Sequence, residues 1–184
     1  YYTGDYAYED LSTLSADALL SELNELMTTT HTYISDYDDC HDLAYWTDCQ
    51  ANNTKYATTL YTSYQATKEQ WKGNNSVGWD REHVWPQSLG GGNTKNGGAD
   101  LHHVRPSESN INSTRNNLKY GNVDGGSNTN PGKLSGTVGG SYGGDYFEPL
   151  DNVKGDVARI ILYVYVRWGS DWGADDVTKV FQSV

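Results

Sequence analysis

Three short runs of this chain hold the residue types that phosphodiester chemistry needs. They are Trp79-Asp80-Arg81-Glu82-His83-Val84-Trp85-Pro86, Asp100-Leu101-His102-His103-Val104-Arg105-Pro106 and Asn112-Ser113-Thr114-Arg115-Asn116-Asn117. A carboxylate and a side-chain amide are oxygen donors suited to a hard cation. An imidazole, with an unperturbed pKa of about 6.5, exchanges a proton near neutral pH. Hydrolysing a phosphodiester requires that a water lose a proton as it attacks, and that charge be stabilised on both the phosphoryl oxygens and the leaving oxygen. His83 is the candidate general base for the first task. A Mg²⁺-like ion held by Glu82 and the carbonyl of Asn112 can serve the other two by Lewis acidity, keeping most of its waters. Mn²⁺ or Ca²⁺ are the alternatives to Mg²⁺.

Neighbouring residues of a regular strand face opposite ways. Glu82 and His83 can therefore serve one phosphate only if the strand ends or bends there, so a break in pairing is predicted at or just after His83. Pro86 agrees with this. Arg105 is a candidate for holding a phosphate oxygen; the plain alternative is an arginine that pins a loop through backbone carbonyls. Arg115 reads as structural, with Asp100 or Glu108 as partner. His102 and His103 alternate along a predicted strand, so one of them at most faces the site, and both read as supporting groups. His31 and His41 have no chemical context. The chain holds no Walker-type Gly-Lys-Ser/Thr loop and no His-Glu-x-x-His.

The elements that must position these residues follow from periodicity and punctuation. Ser15 ahead of Leu19, Leu20, Leu23, Leu26 and Met27 predicts a capped amphipathic helix, with Asp17 suiting its dipole. Residues 41–49 predict a second short helix. Tyr56 to Tyr64 is β-prone; its aromatics read as core, with base-stacking platforms as the alternative. Gly78 to His83 predicts a strand and Leu101 to Arg105 a second one ending at Pro106, with the Gly90-Gly91-Gly92 and Gly97-Gly98 loop between them. Ser107 is expected to cap a helix carrying Asn112, Arg115 and Asn116 and ending before Gly121. Residues 121–145 read as surface loop. Val153 to Trp168 predicts a buried helix through Val157, Ile160, Ile161, Val164 and Trp168, and Asp175 to Gln182 a short closing helix. There is no internal repeat.

At 184 residues the chain fits one domain. No apolar run is long enough for a transmembrane span. The opening Tyr1-Tyr2-Thr3-Gly4-Asp5-Tyr6 lacks the features of a signal peptide, so an exported protein would be represented here in mature form. With 15 Tyr and 6 Trp against 2 Phe and 1 Met, the core bulk must carry polar tips that need partners. The net charge of −11 looks wrong for a protein acting on nucleic acid, but residues 1–50 hold 11 acidic residues and no Lys or Arg. From Lys68 to Lys119 there are 7 basic and 5 acidic residues. The acidic segment is thus expected to sit away from the substrate path, with divalent cations mattering more than a basic patch. Cys40 and Cys49 suggest a disulfide in an oxidising compartment. A zinc site through His41 is disfavoured, because adjacent residues rarely point at one metal and a fourth ligand is not obvious.

At its motifs the chain resembles the bacterial endonuclease I family, within the ββα-metal (His-Me finger) nucleases. The family's Arg-Glu-His-Val-Trp-Pro-x-Ser stands at Arg81 to Ser88, its Asp-Leu-His-His-x-Arg-Pro at Asp100 to Pro106, and its Asn-x-x-Arg-x-Asn at Asn112 to Asn117. Glu148-Pro149 and Val153 to Arg159 look like its next block, and the resemblance runs from about Tyr56 to Trp168. It implies an α+β, mostly helical single domain over residues 1–184 around a ββα-metal core at about 78–120. It further implies a secreted or periplasmic, metal-dependent endonuclease that cleaves DNA and often RNA with little sequence preference, leaving 5′-phosphate ends. By position His83 matches the general base, Glu82 and Asn112 match the Mg²⁺ ligands, and Arg105 is the weaker match to a phosphate-contacting arginine. A monomer is expected, with no membrane partner. The alternatives are a catalytically silent nucleic-acid-binding module on the same scaffold and a sequence-specific nuclease. The latter has no helix-turn-helix or zinc finger to support it.

Overall fold

The computed structural model describes residues 11–71, 77–92 and 94–182. The opening run Tyr1 to Tyr6 lies outside the described residues. Helix α1 (Ala16–Thr30) begins as expected: the Ser15 hydroxyl accepts from the Ala18 N–H, and Asp17 sits in the first turn. It buries only Leu26 fully and is tied to the last long helix by the Asn24 amide, which donates to the Val166 carbonyl at 2.6 Å. Helix α2 (Asp39–Thr47) follows, with Asp39 and Asp42 in its first turn complementing the helix dipole.

The two cysteines are not bonded. Cys40 lies in the first turn of α2 and Cys49 beyond its end. At about 1.5 Å per helical residue they are separated by roughly 13 Å along the axis. A disulfide tolerates a Cα separation below about 7 Å. Nine positions that could close a loop cannot close across a helix. The buried Cys40 thiol donates instead to the Ala99 carbonyl at 3.2 Å.

Only the start of the Tyr56–Tyr64 run is extended. Strand β1 (Ala57–Thr58) turns back through Ser63, at φ 53°, to pair antiparallel with β2 (Gln65–Ala66). The central pair is β3 (Trp79–His83) and β4 (Val104–Glu108), antiparallel, with His83 opposite Val104 as the last rung. Helix α3 (Ser109–Arg115) leaves directly from β4. The second strand thus starts three residues later than expected, and Pro106 lies inside it. A two-stranded pair has only edge strands, where a missing N–H costs no ladder bond. Three corrections follow. Leu101 to His103 form a turn; Glu108, not Ser107, precedes the helix; and the helix ends at Arg115, well short of Gly121.

The stretch expected to be plain loop, 121–145, supplies two strands, β6 and β7, of a small sheet of order β5-β8-β7-β6. Its strands are β5 (Lys119–Tyr120), β6 (Ser127–Asn128), β7 (Gly140–Gly143) and β8 (Tyr146–Pro149). Helix α4 (Asp151–Trp172) then crosses the molecule, burying Val153, Val157, Ile161, Val164 and Trp168 at helical spacing. These side chains pack with Tyr61, Val84, Trp85, Ile111, Tyr120 and Phe147 in the main core. Gly173, at φ 77°, caps α4 in the left-handed conformation that favours glycine. The expected closing helix reduces to a 3-10 turn at Val177–Lys179, after which the Gln182 N–H bonds the Tyr120 carbonyl at 2.8 Å and draws the chain onto the sheet edge. The architecture is α+β. It is not mostly helical, because short strands, 3-10 turns and loops carry more of the described chain than helices do. No helix of the described residues is long and apolar enough to cross a membrane.

Candidate active site

β3 ends at His83, and the reason lies in α3. The Arg115 guanidinium, fully buried, donates to the His83 carbonyl at 3.0 Å and to the Val84 carbonyl beside it. Carbonyls that would otherwise need a ladder partner are satisfied by a side chain, so the chain can turn towards Pro86. Asn112 does the same one step earlier, its Nδ2 donating to the Arg81 carbonyl at 3.1 Å. The predicted break therefore falls at His83, and Glu82, His83 and Asn112 all line one cavity of about 420 Å³.

Glu82 is 1% exposed. Its Oε1 accepts from the Tyr61 hydroxyl at 2.7 Å and pairs with Arg115 at 3.2 Å. Tyr61 in turn lies 2.8 Å from the Tyr120 hydroxyl, and the Arg115 guanidinium sits over the Tyr120 ring. Burial pushes the Glu82 carboxyl up from its ordinary value, with Arg115 and Tyr61 only partly offsetting it. Arg115 is structural, as expected, but its partner is Glu82 rather than Asp100 or Glu108.

His83 Nε2 lies 2.9 Å from the Gly98 carbonyl. A carbonyl can only accept, so Nε2 carries the hydrogen, and in the neutral ring Nδ1 keeps the basic lone pair. Gly98 belongs to the buried 3-10 turn Asn96–Ala99. Tyr37 stacks on the imidazole at 5.5 Å and 30°, while His103 meets it edge-on at 5.5 Å. His103 is held at both nitrogens: Nδ1 donates to the Gly97 carbonyl at 2.8 Å, and Nε2 accepts from the Trp85 N–H at 3.0 Å. That pattern requires a neutral ring. Burial, followed by the neighbouring His83, lowers its pKa to about 4. His102 points elsewhere and is largely exposed, with Nδ1 3.1 Å from Asp100 Oδ1. One of the two histidines does support the site, but from a turn rather than a strand.

Asp100 anchors this turn. It accepts from the His102 N–H at 2.8 Å, from the Tyr163 hydroxyl at 2.7 Å and from the Trp168 indole at 2.8 Å. Burial alone would raise its carboxyl, but these donors outweigh that and hold it well below the carboxylate range. His31 lies 3.8 Å from the same carboxylate, and His41 packs against Trp71 and Trp79.

Arg105 is not brought to this cavity. It pairs with the buried Asp48, and its Nη1 reaches the Leu101 carbonyl at 3.5 Å. Two other arginines line the cavity: the buried Arg115, paired with Glu82, and Arg81, which donates to the Tyr37 carbonyl at 2.6 Å, pairs with Asp38 at 3.2 Å and stacks over the Tyr37 ring at 3.6 Å. Arg81 had a sequence signal, being inside the motif; Tyr37 had none. Its presence overturns the expectation that the acidic segment lies away from the site, because Tyr37 lines the cavity and Asp38 beside it pairs with Arg81.

The donor set can be tested against a cation. Both contacts to Glu82 fall on Oε1, so Oε2 is the oxygen they leave over, and fixing Asn112 Nδ2 leaves Oδ1 as its acceptor. A carboxylate and a carbonyl oxygen on one polar cavity fit a hard ion that keeps its waters. Among the described residues no group of three or more His, Cys, Asp or Glu is placed to hold a metal, so a closed zinc-type cage is not present there.

The endonuclease I family profile matches residues 15–182, taking in every element above. The chain belongs to the endonuclease I family. Two members similar to it are named extracellular ribonuclease. The one from Bacillus subtilis (strain 168) is 36% identical over 178 residues, 96% of this chain and 58% of the relative. The one from Bacillus amyloliquefaciens is 38% identical over 172 residues, 92% of this chain and 56% of the relative. The chain thus spans somewhat more than half the length of these endonuclease I relatives.

Proposed function

We propose that this chain is a metal-dependent endonuclease of the ββα-metal type. In this reading it hydrolyses phosphodiester bonds of RNA and DNA with little sequence preference, leaves 5′-phosphate ends and works outside the cell. The observation that carries the reading is His83: an imidazole with its Nε2 hydrogen committed to Gly98, on the same cavity as Glu82 and Asn112. The names of the two relatives support RNA as a substrate and an extracellular location. The sequence departs from no position of the three motifs, which disfavours the silent binding module.

In the reaction, His83 takes the proton of the attacking water at Nδ1, and the Gly98 carbonyl keeps the ring in the tautomer that can do so. His103, neutral and locked at both nitrogens, holds the ring's edge without adding a positive charge. Glu82 Oε2 and Asn112 Oδ1 would hold Mg²⁺, Mn²⁺ or Ca²⁺. Such an ion supplies Lewis acidity at the phosphoryl and leaving oxygens. Tyr61 and Arg115 aim the Glu82 carboxylate and balance its charge until a cation arrives. Arg81 lines the cavity and would meet the substrate backbone, while Arg105 with Asp48 holds β4 to the end of α2.

The test is cleavage of supercoiled plasmid and homopolymer RNA with Mg²⁺, with EDTA, and by a folded His83→Ala variant. Divalent-dependent cleavage of both, lost with EDTA and reduced about 10²–10⁴-fold in the variant, supports the assignment. A wild type that leaves both polymers intact across several divalent ions removes the enzyme reading and leaves a binding scaffold.

A further inference from the structure

We infer that Tyr37, from the acidic N-terminal segment, is a positioning residue for the general base. The inference rests on the assignment of His83 above. The hydrogen bond at Nε2 fixes one vertex of the imidazole, and two ring contacts bear on the plane in which the ring lies. Tyr37 lies flat against one part of His83 at 5.5 Å and 30°, and His103 meets it edge-on. Arg81 and His83 are two apart in β3 and so share a face of the strand. Tyr37 touches both, with the Arg81 guanidinium 3.6 Å from its ring centre.

Tyr37 is itself held from behind. Ser35 and Cys40, on either side of it in sequence, both donate to the Ala99 carbonyl. Ala99 directly follows Gly98, whose carbonyl holds His83 Nε2. The same short turn is therefore tied to the segment that delivers Tyr37 and to the base that Tyr37 packs against. Tyr37 also packs on the small core of Cys40, Ala99 and Val104. Its ring faces the cavity, yet its contacts are with the groups that aim His83 and Arg81. It acts through them on the reaction.

Misplacing a catalytic group by about 1 Å costs on the order of 10²-fold in rate. The experiment compares Tyr37→Leu, Tyr37→Phe and, as a control in the same segment, Tyr33→Leu, whose exposed ring is not part of the cavity lining. kcat and KM are measured on a short fluorogenic oligoribonucleotide with Mg²⁺. The His83 ring resonances are followed by long-range ¹H–¹⁵N correlation without metal. Tyr37→Leu is expected to lower kcat by roughly 10-fold or more with KM within about twofold, and to lose the ring-current shift and single tautomer of His83. Tyr37→Phe, which returns the ring without the hydroxyl, restores both, and Tyr33→Leu changes neither. An unchanged kcat in Tyr37→Leu overturns the inference, as does a change confined to KM, or equal loss in the Leu and Phe variants. The spectroscopic arm needs no turnover. An inactive wild type whose His83 signals still depend on the Tyr37 ring would sink the nuclease reading and leave the positioning intact. His83 signals indifferent to Tyr37→Leu would do the reverse.

Discussion

The buried His103 ring makes the protein's stability depend on pH in a direction that can be worked out beforehand. Its folded pKa is lowered to about 4 from the ordinary 6.5. The unfolded chain therefore binds a proton between those values and the folded chain does not. Stability is full above about pH 6.5 and falls as the pH drops towards 4. The gap of about 2.5 pH units, at about 1.36 kcal/mol per unit, amounts to roughly 3 kcal/mol, a large part of a typical folding free energy. A bare pH profile would mix in other groups. His102 works in the opposite sense: its hydrogen bond to Asp100 raises its pKa, so its contribution is present below 6.5 and is lost as pH rises through the folded value. Asp100, held low, contributes above its unfolded pKa and loses that only in stronger acid. The comparison that isolates His103 is urea unfolding of the wild type and of His103→Gln from pH 7.5 to 4.5. The variant starts less stable, because Gly97 and Trp85 lose their partner. Over that range the wild type should lose about 2–3 kcal/mol more than the variant, so the two curves converge. Parallel curves would show that His103 is not kept neutral by its surroundings, and the account of the turn around it would fall.

Other perturbations read other parts of the structure. Arg115→Met leaves Glu82 buried without its cation and should cost about 3–5 kcal/mol, measured by urea unfolding; a loss under about 1 kcal/mol would mean the pair carries no structural weight. Glu82→Gln keeps the shape and removes the charge, and should lower cleavage about 100-fold or more while raising the Mg²⁺ needed for half-maximal rate. If its metal dependence matches the wild type, Glu82 is not a ligand. Thiol titration of unreduced protein should find Cys49 reactive in the native state and Cys40 reactive only on unfolding; no thiol in the unfolded, unreduced chain would restore the disulfide.

Local pattern carried part of the fold well. The 3.6-residue repeat from Val153 to Trp168 is strong enough that α4 appears where it is expected, merely longer. The end of β3 was legible from chemistry rather than propensity, because two neighbouring side chains serve one site only where a strand stops. What failed, failed for tertiary reasons. Pro106 reads as a strand terminator, yet it sits within a two-stranded edge pair. Asp175 to Gln182 has a helical composition, but the Tyr120 backbone takes both the Val180 carbonyl and the Gln182 N–H, drawing the segment into a sheet. Tyr37 and His83 are 46 positions apart, and no local periodicity reports such a contact. The charge of the surrounding segment pointed the wrong way as well. Arg105 lies in a site motif, and it is Asp48, outside any motif, that draws it off.

The Asp100 carboxylate has a consequence in time. It fixes the turn that aims His83, but two of its donors, Tyr163 and Trp168, belong to α4, more than 60 positions downstream. A chain leaving the ribosome exposes β3, β4 and α3 first, at about 5–20 residues per second. For several seconds it holds all three motifs without the donors that steady them. The base is aimed only once α4 has been made and docked. A nascent or truncated chain that ends before Tyr163 would carry the full set of reactive residues and still be inert.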